Sequence, residues 1–194
     1  MSETPHVPLH GLVLTGGASS RMGRDKANLV YRGGPQWRVA ANVLLACDAE
    51  PYWSCTARQA AEWGLADRAI LDLMPGHGPA SGLHAAFSRG DYVAWLVIGC
   101  DYPMLEAQDL QRLLDARSPT IDAVTYMSEA TGEIEPMITL WEPAAQRTFL
   151  HAVADGEFSA RRVLRTCALR VLTPRAPHVL DNRNSPVSLT DAAH

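Results

Sequence analysis

The sequence predicts an α/β fold in which helices cover both faces of a mostly parallel β-sheet. Strand and helix patterns alternate along the whole chain, as expected where crossover helices join parallel strands. The segment 92–98 is apolar at nearly every position, which is typical of a central strand covered on both faces. A glycine-rich segment directly follows the first apolar run, at the place where such sheets bind ligands.

The individual elements follow from the spacing of the apolar residues. Short apolar runs bounded by turn residues predict strands at 11–14, 51–56, 68–71, 92–98, 123–127, 137–141 and 168–172. Apolar residues at helical spacing predict helices at 36–47, 58–64, 81–89, 106–117, 144–154 and 160–166. The pair Thr131-Gly132 predicts a turn between two neighbouring strands, and a polar loop is expected at 181–186.

Composition limits the classes of function that need to be considered. We expect a single domain over residues 1–194, with flexible ends at about 1–9 and 190–194. The net charge of −4 does not indicate the basic surface that nucleic-acid binding needs. The sequence has no apolar stretch long enough to span a membrane and no signal peptide at its start, so we expect a cytoplasmic protein. The four cysteines contain no C-x-x-C pair, which indicates free thiols rather than a zinc site.

Three candidate binding positions directly follow predicted strands. They are the loop after Leu14, the loop after Leu71 that begins with Asp72, and Asp101, which comes shortly after Ile98. Because the carboxyl ends of parallel strands lie at one edge of a sheet, we expect these positions to form one site.

The loop after the first strand carries the strongest chemical signal. Residues 14–26 contain three glycines, three hydroxyl side chains and three cationic side chains. Glycines let backbone N–H groups approach phosphates, and cations neutralise phosphate charge. The spacing fits neither G-x-x-x-x-G-K-[ST] nor G-x-G-x-x-G, so a P-loop and a dinucleotide-binding loop are excluded. A phosphate-binding loop is favoured over a plain strand-to-helix turn with basic surface residues.

This loop and four later segments of the sequence resemble the molybdenum cofactor guanylyltransferase family, the MobA-like nucleotidyltransferases. The loop reads L-T-G-G-x-S-x-R-M-G-x-D-K-A, which is similar to the opening signature of that family. Four further segments resemble family motifs in the expected order, namely 78–83, 100–105, 135–141 and 182–186. The resemblance implies a three-layer α/β/α, Rossmann-like fold of the nucleotide-diphospho-sugar transferase type. It also implies transfer of GMP from GTP to the phosphate of molybdopterin or Mo-molybdopterin, with Mg²⁺ as cofactor and possible contacts with cofactor-handling proteins.

The resemblance also implies roles for individual residues. The nucleotide would contact Leu14, Thr15, Gly16, Gly17, Lys26, Cys55, Asp72 and Asp101. Lys26 would neutralise the phosphates, and Arg21 would stabilise the charge of the leaving pyrophosphate. Asp101 and Asn184 would hold Mg²⁺, while Asn182 and Asn184 would face the acceptor. The implied reaction is an in-line displacement, in which an acceptor phosphate oxygen attacks the α-phosphate.

Each of the polar loop residues also has a purely structural interpretation. Asp101 could cap the following helix, and Asp72 could be an ordinary turn residue. Asn182 and Asn184 precede Pro186 and could be turn formers.

Two departures from the family pattern bear on the substrates. Many relatives have an asparagine at the end of the second strand, where Cys55 or Thr56 stands here, and a thiol cannot make the paired hydrogen bonds of an amide. The segment 33–36 replaces the common G-K-P-L and lacks its lysine near the acceptor. A cytidylyltransferase on the same cofactor and another NTP:phosphate nucleotidyltransferase, such as a sugar-1-phosphate enzyme, therefore stay open. So does a nucleotide-binding accessory protein without activity, whereas the glycine spacing disfavours an NAD-dependent oxidoreductase.

Overall fold

The computed structural model describes residues 7–15, 26–31, 33–72, 74 and 76–182. The strands are β1 Leu9–Leu14, β2 Val30–Tyr31, β3 Gly34–Pro35, β4 Glu50–Cys55, β5 Ala69–Leu71, β6 Ala94–Gly99, β7 Ala123–Ser128, β8 Glu133–Trp141 and β9 Leu169–Leu172. The helices are α1 Gln36–Leu45, α2 Ala57–Trp63, α3 Pro79–Phe87, α4 Ala107–Asp115, α5 Pro143–Ala154 and α6 Ala160–Leu164. Short 3-10 turns occur at Lys26–Asn28, Ala66–Arg68 and Pro177–Leu180.

Within these ranges the main sheet has the strand order β5-β4-β1-β6-β8-β7-β9. The neighbours β5, β4, β1 and β6 are parallel to one another, and β7 is parallel to β9. β8 runs antiparallel to both of its neighbours. The turn predicted at Thr131-Gly132 joins β7 to β8, and Gly132 has the positive φ of 67° that such a turn favours. The prediction of a mostly parallel sheet is therefore confirmed.

Helices pack on both faces of this sheet, which confirms the predicted three-layer arrangement. On one face α1, α4 and the turn near Val179 bury Leu44 and Leu110 against the sheet. On the other face α3, α5 and α6 bury Leu83 and Phe149. Each residue of β6 is buried, as the apolar run in the sequence indicated.

The differences from the sequence prediction include β6, β8 and the hairpin of β2 and β3. β6 begins at Ala94 rather than at residue 92, and the side chain of Tyr92 before it is 70% exposed. β8 begins at Glu133, four residues before the predicted start. The hairpin formed by β2 and β3 was not predicted, because each strand has two residues and cannot show a periodic pattern.

The early start of β8 depends on a bulge. The pairing with β7 passes from Thr125↔Thr139 to Met127↔Ile134, so the segment 135–138 carries extra residues on the β8 side. Pro136 lies in this segment, and proline is tolerated in sheets at such irregularities. The bulge therefore allows β8 to continue through Pro136, although a proline in the sequence indicates the end of a strand.

Candidate active site

The carboxyl ends of four adjacent parallel strands form the predicted edge of the sheet. β5, β4, β1 and β6 end there side by side, and the residues that follow them include Asp72, Thr56, Thr15 and Asp101. The expectation that β1, β5 and β6 end at one edge is confirmed. The residues expected in the nucleotide-binding loop, Gly16, Gly17 and Arg21, lie outside the part of the chain that the structure describes.

The start of that loop is fastened to both neighbouring strands. The backbone N–H of Thr15 donates to the carbonyl of Ser54 at 3.2 Å, and its hydroxyl donates to the same oxygen at 2.6 Å. The carbonyl of Leu14 accepts from the N–H of Cys100 at 3.2 Å. The direction in which the chain leaves the sheet is therefore set by β4 on one side and by the end of β6 on the other.

Asp72 is half-buried beside the end of β4. Its carboxylate accepts a hydrogen bond from the hydroxyl of Ser54 at 3.0 Å. Burial raises the pKa of Asp72, and the bond from Ser54 opposes that rise. Asp72 is therefore more than an ordinary turn residue, because a hydrogen bond from Ser54 of the neighbouring strand β4 orients its side chain.

The close approach of α3 to this hydrogen bond requires glycine at position 82. A Cβ added to Gly82 would lie 2.2 Å from the Oγ of Ser54 and 2.9 Å from a methyl carbon of Leu14. Gly82 and Ser54 were not among the predicted site residues. The glycine stood in a recognised motif, G-P-A-S-G, which was the signal that could have assigned it a packing role.

Cys55 ends β4, and its side chain is fully buried. Burial raises the pKa of the Cys55 thiol to about 11, and the nearby charge of Asp72 adds to the effect. The exposed side chain at this strand end belongs to Thr56, which caps α2 by accepting from the N–H of Gln59 at 3.2 Å. The contact between Cys55 and a base stays a prediction, and Thr56 is the residue with an accessible side chain.

Asp101 directly follows the turn at the end of β6 and is half-buried. A Cβ at Gly99 would lie 2.7 Å from the Oδ1 of Asp101 and 3.0 Å from the ring of Tyr102. Glycine therefore lets the carboxylate and the ring fold back over the strand end. The N-cap of α4 is Glu106, so the interpretation of Asp101 as a helix cap is wrong.

The 3-10 turn that begins at Lys26 leads to the start of α1. Lys26 begins a 3-10 turn, and the carbonyl of Leu29 after that turn accepts from the N–H of Gln36 at 3.0 Å. Gln36, Gly99 and Tyr102 line one cavity of about 10 Å³, which is room for about one water molecule. The side chain of Lys26 lies outside the described part, so its contact with phosphate stays a prediction.

The segment after β9 brings Asn182 to the end of β6. The guanidinium of Arg175 donates to the carboxylates of Asp109 at 3.3 Å and Glu106 at 3.0 Å, and Val179 is fully buried. Asn182 is exposed, and its side chain lies near enough to Tyr102, the residue after Asp101, to lower the pKa of that hydroxyl against the rise caused by burial. The predicted partner of this residue, Asn184, lies beyond the described range.

Glu135 and Tyr102 also belong to this edge and were not predicted as site residues. Glu135 lies in the bulge of β8, and burial followed by the charge of Glu135 raises the pKa of the Tyr102 hydroxyl. Burial also raises the pKa of Glu135, while the hydrogen bond that its Oε1 accepts from the Met137 N–H at 3.0 Å opposes the rise. The signal was Pro136 within a strand pattern, since a bulge beside an active site often directs a side chain into it.

A metal site depends on donor side chains that lie close together. Among the described residues no group of three or more His, Cys, Asp and Glu side chains could hold a metal ion. Mg²⁺ needs less, because one or two carboxylates suffice when phosphate oxygens and water complete the shell. The carboxylate of Asp101 can supply that minimum, and Mg²⁺ stays a prediction.

The arrangement agrees with a comparison against protein families. The model of the MobA-like NTP transferase domain matches residues 11–172. The chain belongs to this family. The MobA-like fold places the predicted residues Leu14, Thr15, Asp72 and Asp101 at one edge of the sheet. In the part of the chain that the structure describes, no helix is long and apolar enough to span a membrane.

Individual MobA-like relatives cover nearly the whole chain. The chain is 27% identical over 186 residues to a molybdenum cofactor biosynthesis bifunctional protein of Synechocystis sp., covering 95% of this chain and 54% of that protein. It therefore spans about half the length of that relative. A probable molybdenum cofactor guanylyltransferase of Deinococcus radiodurans is 28% identical over 187 residues, covering 95% of this chain and 94% of the relative.

A solved structure supports the fold. The crystal structure of molybdopterin-guanine dinucleotide biosynthesis protein A from Archaeoglobus fulgidus superposes with a TM-score of 0.70 at 20% identity. The match covers 92% of this chain and 93% of that one. At this identity the likeness concerns the fold alone.

Proposed function

We propose that this chain is a nucleotidyltransferase that transfers GMP from GTP to the phosphate of molybdopterin or Mo-molybdopterin, with release of pyrophosphate. Membership of the MobA-like family and the names of two relatives support the reaction class and the substrates. The cytoplasmic location expected from the sequence belongs to the same proposal.

One observation carries the proposal at the level of structure. The carboxylates of Asp72 and Asp101 follow strands on opposite sides of β1, and the loop expected to hold phosphates leaves the end of β1 between them. A ligand on that loop is therefore flanked by a carboxylate on each side. Such a crevice outside the strand ends is where open α/β sheets bind ligands.

The chemistry requires positioning and neutralised charge rather than a protein nucleophile. An oxygen of the acceptor phosphate forms a bond to the α-phosphorus of the nucleotide. The bond from that phosphorus to the bridging oxygen breaks, and the electron pair leaves with pyrophosphate. In this proposal Thr15 and Asp72 hold the nucleotide, and Asn182 faces the acceptor.

Mg²⁺ would be held by Asp101, with Asn184 as the second predicted ligand. When bound, the ion supplies charge neutralisation at the reacting phosphates. The half-buried carboxylate of Asp101 lies close over the end of β6, where a Cβ at position 99 would meet its Oδ1 at 2.7 Å, so glycine at this position leaves room for it.

Cytidylyl transfer is the second candidate, and the burial of Cys55 favours testing it. A guanine edge is best read by an amide or carboxylate, and the thiol at this strand end is fully buried. Thr56 is exposed beside Cys55. Its side chain carries a single hydroxyl, which gives no reason to expect a preference for guanine over cytosine.

The test is pyrophosphate release by the purified chain with each of the four nucleoside triphosphates, with and without molybdopterin-type acceptor and Mg²⁺. We expect release with GTP that depends on the acceptor and on Mg²⁺. Asp101→Asn should abolish turnover and leave the melting temperature close to wild type. Asp115→Asn, at an exposed carboxylate on α4, is the matched control and should stay active.

Each other result has a defined meaning. Release with CTP alone would replace the guanylyl assignment by the cytidylyl one. Tight nucleotide binding without release would support the accessory-protein interpretation. Near-normal turnover of Asp101→Asn with Mg²⁺ would refute the role of Asp101.

A further inference from the structure

A pair of hydrogen-bonded ion pairs joins the start of α4 to the segment that follows β9. The guanidinium of Arg175 donates from Nε to the Oδ1 of Asp109 at 3.3 Å and from Nη2 to the Oε2 of Glu106 at 3.0 Å. The two carboxylates precede Arg175 by 66 and 69 residues in the sequence. The contact therefore ties together two parts of the chain that no local structure connects.

Asp109 gives this junction a rigid base. Its side chain is fully buried, and its Oδ2 accepts from the backbone N–H of Glu106 at 3.1 Å. Its backbone carbonyl accepts from the hydroxyl of Tyr126, also fully buried, at 2.7 Å. A buried carboxylate is stable only when other groups compensate its charge, and Arg175 supplies a positive charge. The guanidinium is therefore held at a fixed place beside α4.

On one side the junction leads directly to Asp101. Glu106 is the N-cap of α4, and only a short turn separates it from Asp101. Within that turn the N–H of Leu105 donates to the carbonyl of Tyr102 at 3.2 Å, and both side chains are buried. The turn is thus closed and packed, so a force at Glu106 is transmitted to the place of Asp101.

On the other side the junction leads to Asn182. After Arg175 the chain forms the 3-10 turn Pro177–Leu180, in which Val179 is fully buried in the same apolar cluster as Tyr102. The N–H of Asp181 donates to the carbonyl of His178 at 3.1 Å. The segment is therefore anchored twice before Asn182, once by an ion pair and once by a buried valine.

We propose that Arg175 is a positioning residue that fixes the place of the segment beginning at Asn182 relative to Asp101. The inference rests on the proposed nucleotidyl transfer for its kinetic consequence, because in that reaction Asp101 serves the reacting phosphates and Asn182 faces the acceptor. Arg175 acts through the segment 176–182 and through α4. The order of that segment can be measured without activity.

The first experiment is Arg175→Met, which keeps an unbranched side chain and removes both hydrogen bonds. We expect kcat/KM for the acceptor to fall about 10–100-fold, because a displacement of about 1 Å caused far from the chemistry can have such an effect. The dissociation constant of the nucleotide, measured by calorimetry, should change by less than about twofold. The reason is that Ser54 and Asp72 lie on the other side of β1. Arg175→Lys can keep one of the two bonds and should recover part of the activity.

The matched control is Arg117→Met, at the opposite end of α4. Arg117 donates to the two carboxylate oxygens of Glu142 at 2.7 and 3.1 Å, and its side chain is 8% exposed against 40% for Arg175. Loss of the more buried pair should lower the melting temperature at least as much. Below both melting temperatures, only Arg175→Met should lose acceptor-dependent activity. Equal kinetic losses in the two variants would overturn the proposal.

A second variant separates the two possible roles of Arg175. Val179→Ala weakens the apolar anchor of the same segment and leaves both partners of Arg175 in place. If Arg175 works through the segment, Val179→Ala should also lower kcat/KM for the acceptor and spare nucleotide affinity. Wild-type acceptor kinetics in Val179→Ala would restrict Arg175 to the start of α4 and refute the assigned role.

The readout independent of activity is hydrogen–deuterium exchange of the backbone amides in the segment 176–182. The N–H groups of Val179 and Asp181 donate to the carbonyls of Ala176 and His178, each at 3.1 Å. We expect Arg175→Met to speed their exchange about tenfold, since a lost charge-assisted hydrogen bond makes local opening easier. Val179→Ala should have a similar effect, and Arg117→Met should have none.

Two outcomes separate this inference from the proposed function. Unchanged exchange in Arg175→Met would overturn the inference even if the enzyme is active. Absence of pyrophosphate release from the wild-type chain would instead refute the proposed function, while the exchange rates would still decide whether Arg175 orders the segment before Asn182.

Discussion

Substitution of Gly82 by alanine tests how closely α3 must approach the candidate site. The added Cβ would lie 2.2 Å from the Oγ of Ser54, 2.8 Å from its Cβ and 2.9 Å from a methyl carbon of Leu14. Carbon atoms normally meet at about 3.5–4.0 Å, so Ser54 would have to move by about an ångström. Ser54 belongs to a strand paired on both sides and cannot follow freely.

The expected loss of unfolding free energy in Gly82→Ala has three contributions. Overpacking of a tight interior costs about 1–3 kcal/mol, and the contact with two strands places Gly82→Ala near the upper end. Loss of the Ser54–Asp72 hydrogen bond adds about 1 kcal/mol to this loss. The higher helix propensity of alanine compared with glycine reduces it by about 1 kcal/mol. We expect a net loss of about 2–3 kcal/mol. For a chain of this size that corresponds to a fall in melting temperature of about 4–12 °C.

The assay is thermal and denaturant unfolding followed by circular dichroism, together with nucleotide titration. Ser54→Gly removes two of the three close atoms, so the double variant with Gly82→Ala should be clearly more stable than the two single losses predict when added. Gly34→Ala is the control, because its Cβ would meet Val39 at an ordinary 3.6 Å. Nucleotide affinity should fall in Gly82→Ala, because Asp72 loses the donor that orients it. The packing argument would be refuted if Gly82→Ala had wild-type stability. It would also be refuted if the stability losses of Gly82→Ala and Ser54→Gly simply added in the double variant.

Three further substitutions test the energetics away from that contact. Gln36→Leu should raise the unfolding free energy by about 1 kcal/mol, because the Nε2 of this 3%-exposed residue has no hydrogen-bond partner among the described residues. An unchanged or lower denaturation midpoint would contradict this. Arg117→Met should cost about 3 kcal/mol in chemical unfolding, because it leaves Glu142, bonded at 2.7 and 3.1 Å, as an unpaired and largely buried carboxylate. Adding Glu142→Gln should recover part of that loss, and no recovery would exclude the unpaired charge as its cause. Burial raises the pKa of Cys55 from 9.0 to about 11, so the unfolded chain loses its proton first and stability should fall as the pH rises through that interval. The melting temperature of Cys55→Val should fall less than that of the wild type over this pH range, and equal falls would contradict the raised pKa of Cys55 as the cause.

The features that sequence reasoning predicted are those that depend on local pattern. The apolar run before Asp101 indicated a central strand, and β6 is buried along its whole length. The glycine-rich loop after Leu14 and the carboxylate after Leu71 then followed from the rule that parallel strands end at one edge. These predictions needed only periodicity and the order of the elements along the chain.

The features that were missed depend on contacts between distant segments. Tyr102 and Glu135 come to the same edge because β8 lies beside β6, and neither residue shows this in its local sequence. The burial of Cys55 likewise depends on how the neighbouring helices cover the end of β4 rather than on the strand pattern. A bulge of the kind that directs Glu135 is also difficult to predict, because Pro136 reads as the break of a strand.

The strand order explains why one position can serve both substrates. The helix α1 after β1 lies on one face of the sheet and α3 before β6 lies on the other. The connections therefore diverge between β1 and β6 and leave a crevice beyond their carboxyl ends. On its other side β6 is flanked by β8, whose antiparallel direction brings its first residues to the same edge. Under the proposed function Asp101 then separates a nucleotide side, at the ends of the parallel strands, from an acceptor side towards the first residues of β8. Changes at Ser54 or Gly82, which lie beside β1 and Asp72, should therefore weaken nucleotide binding more than acceptor binding.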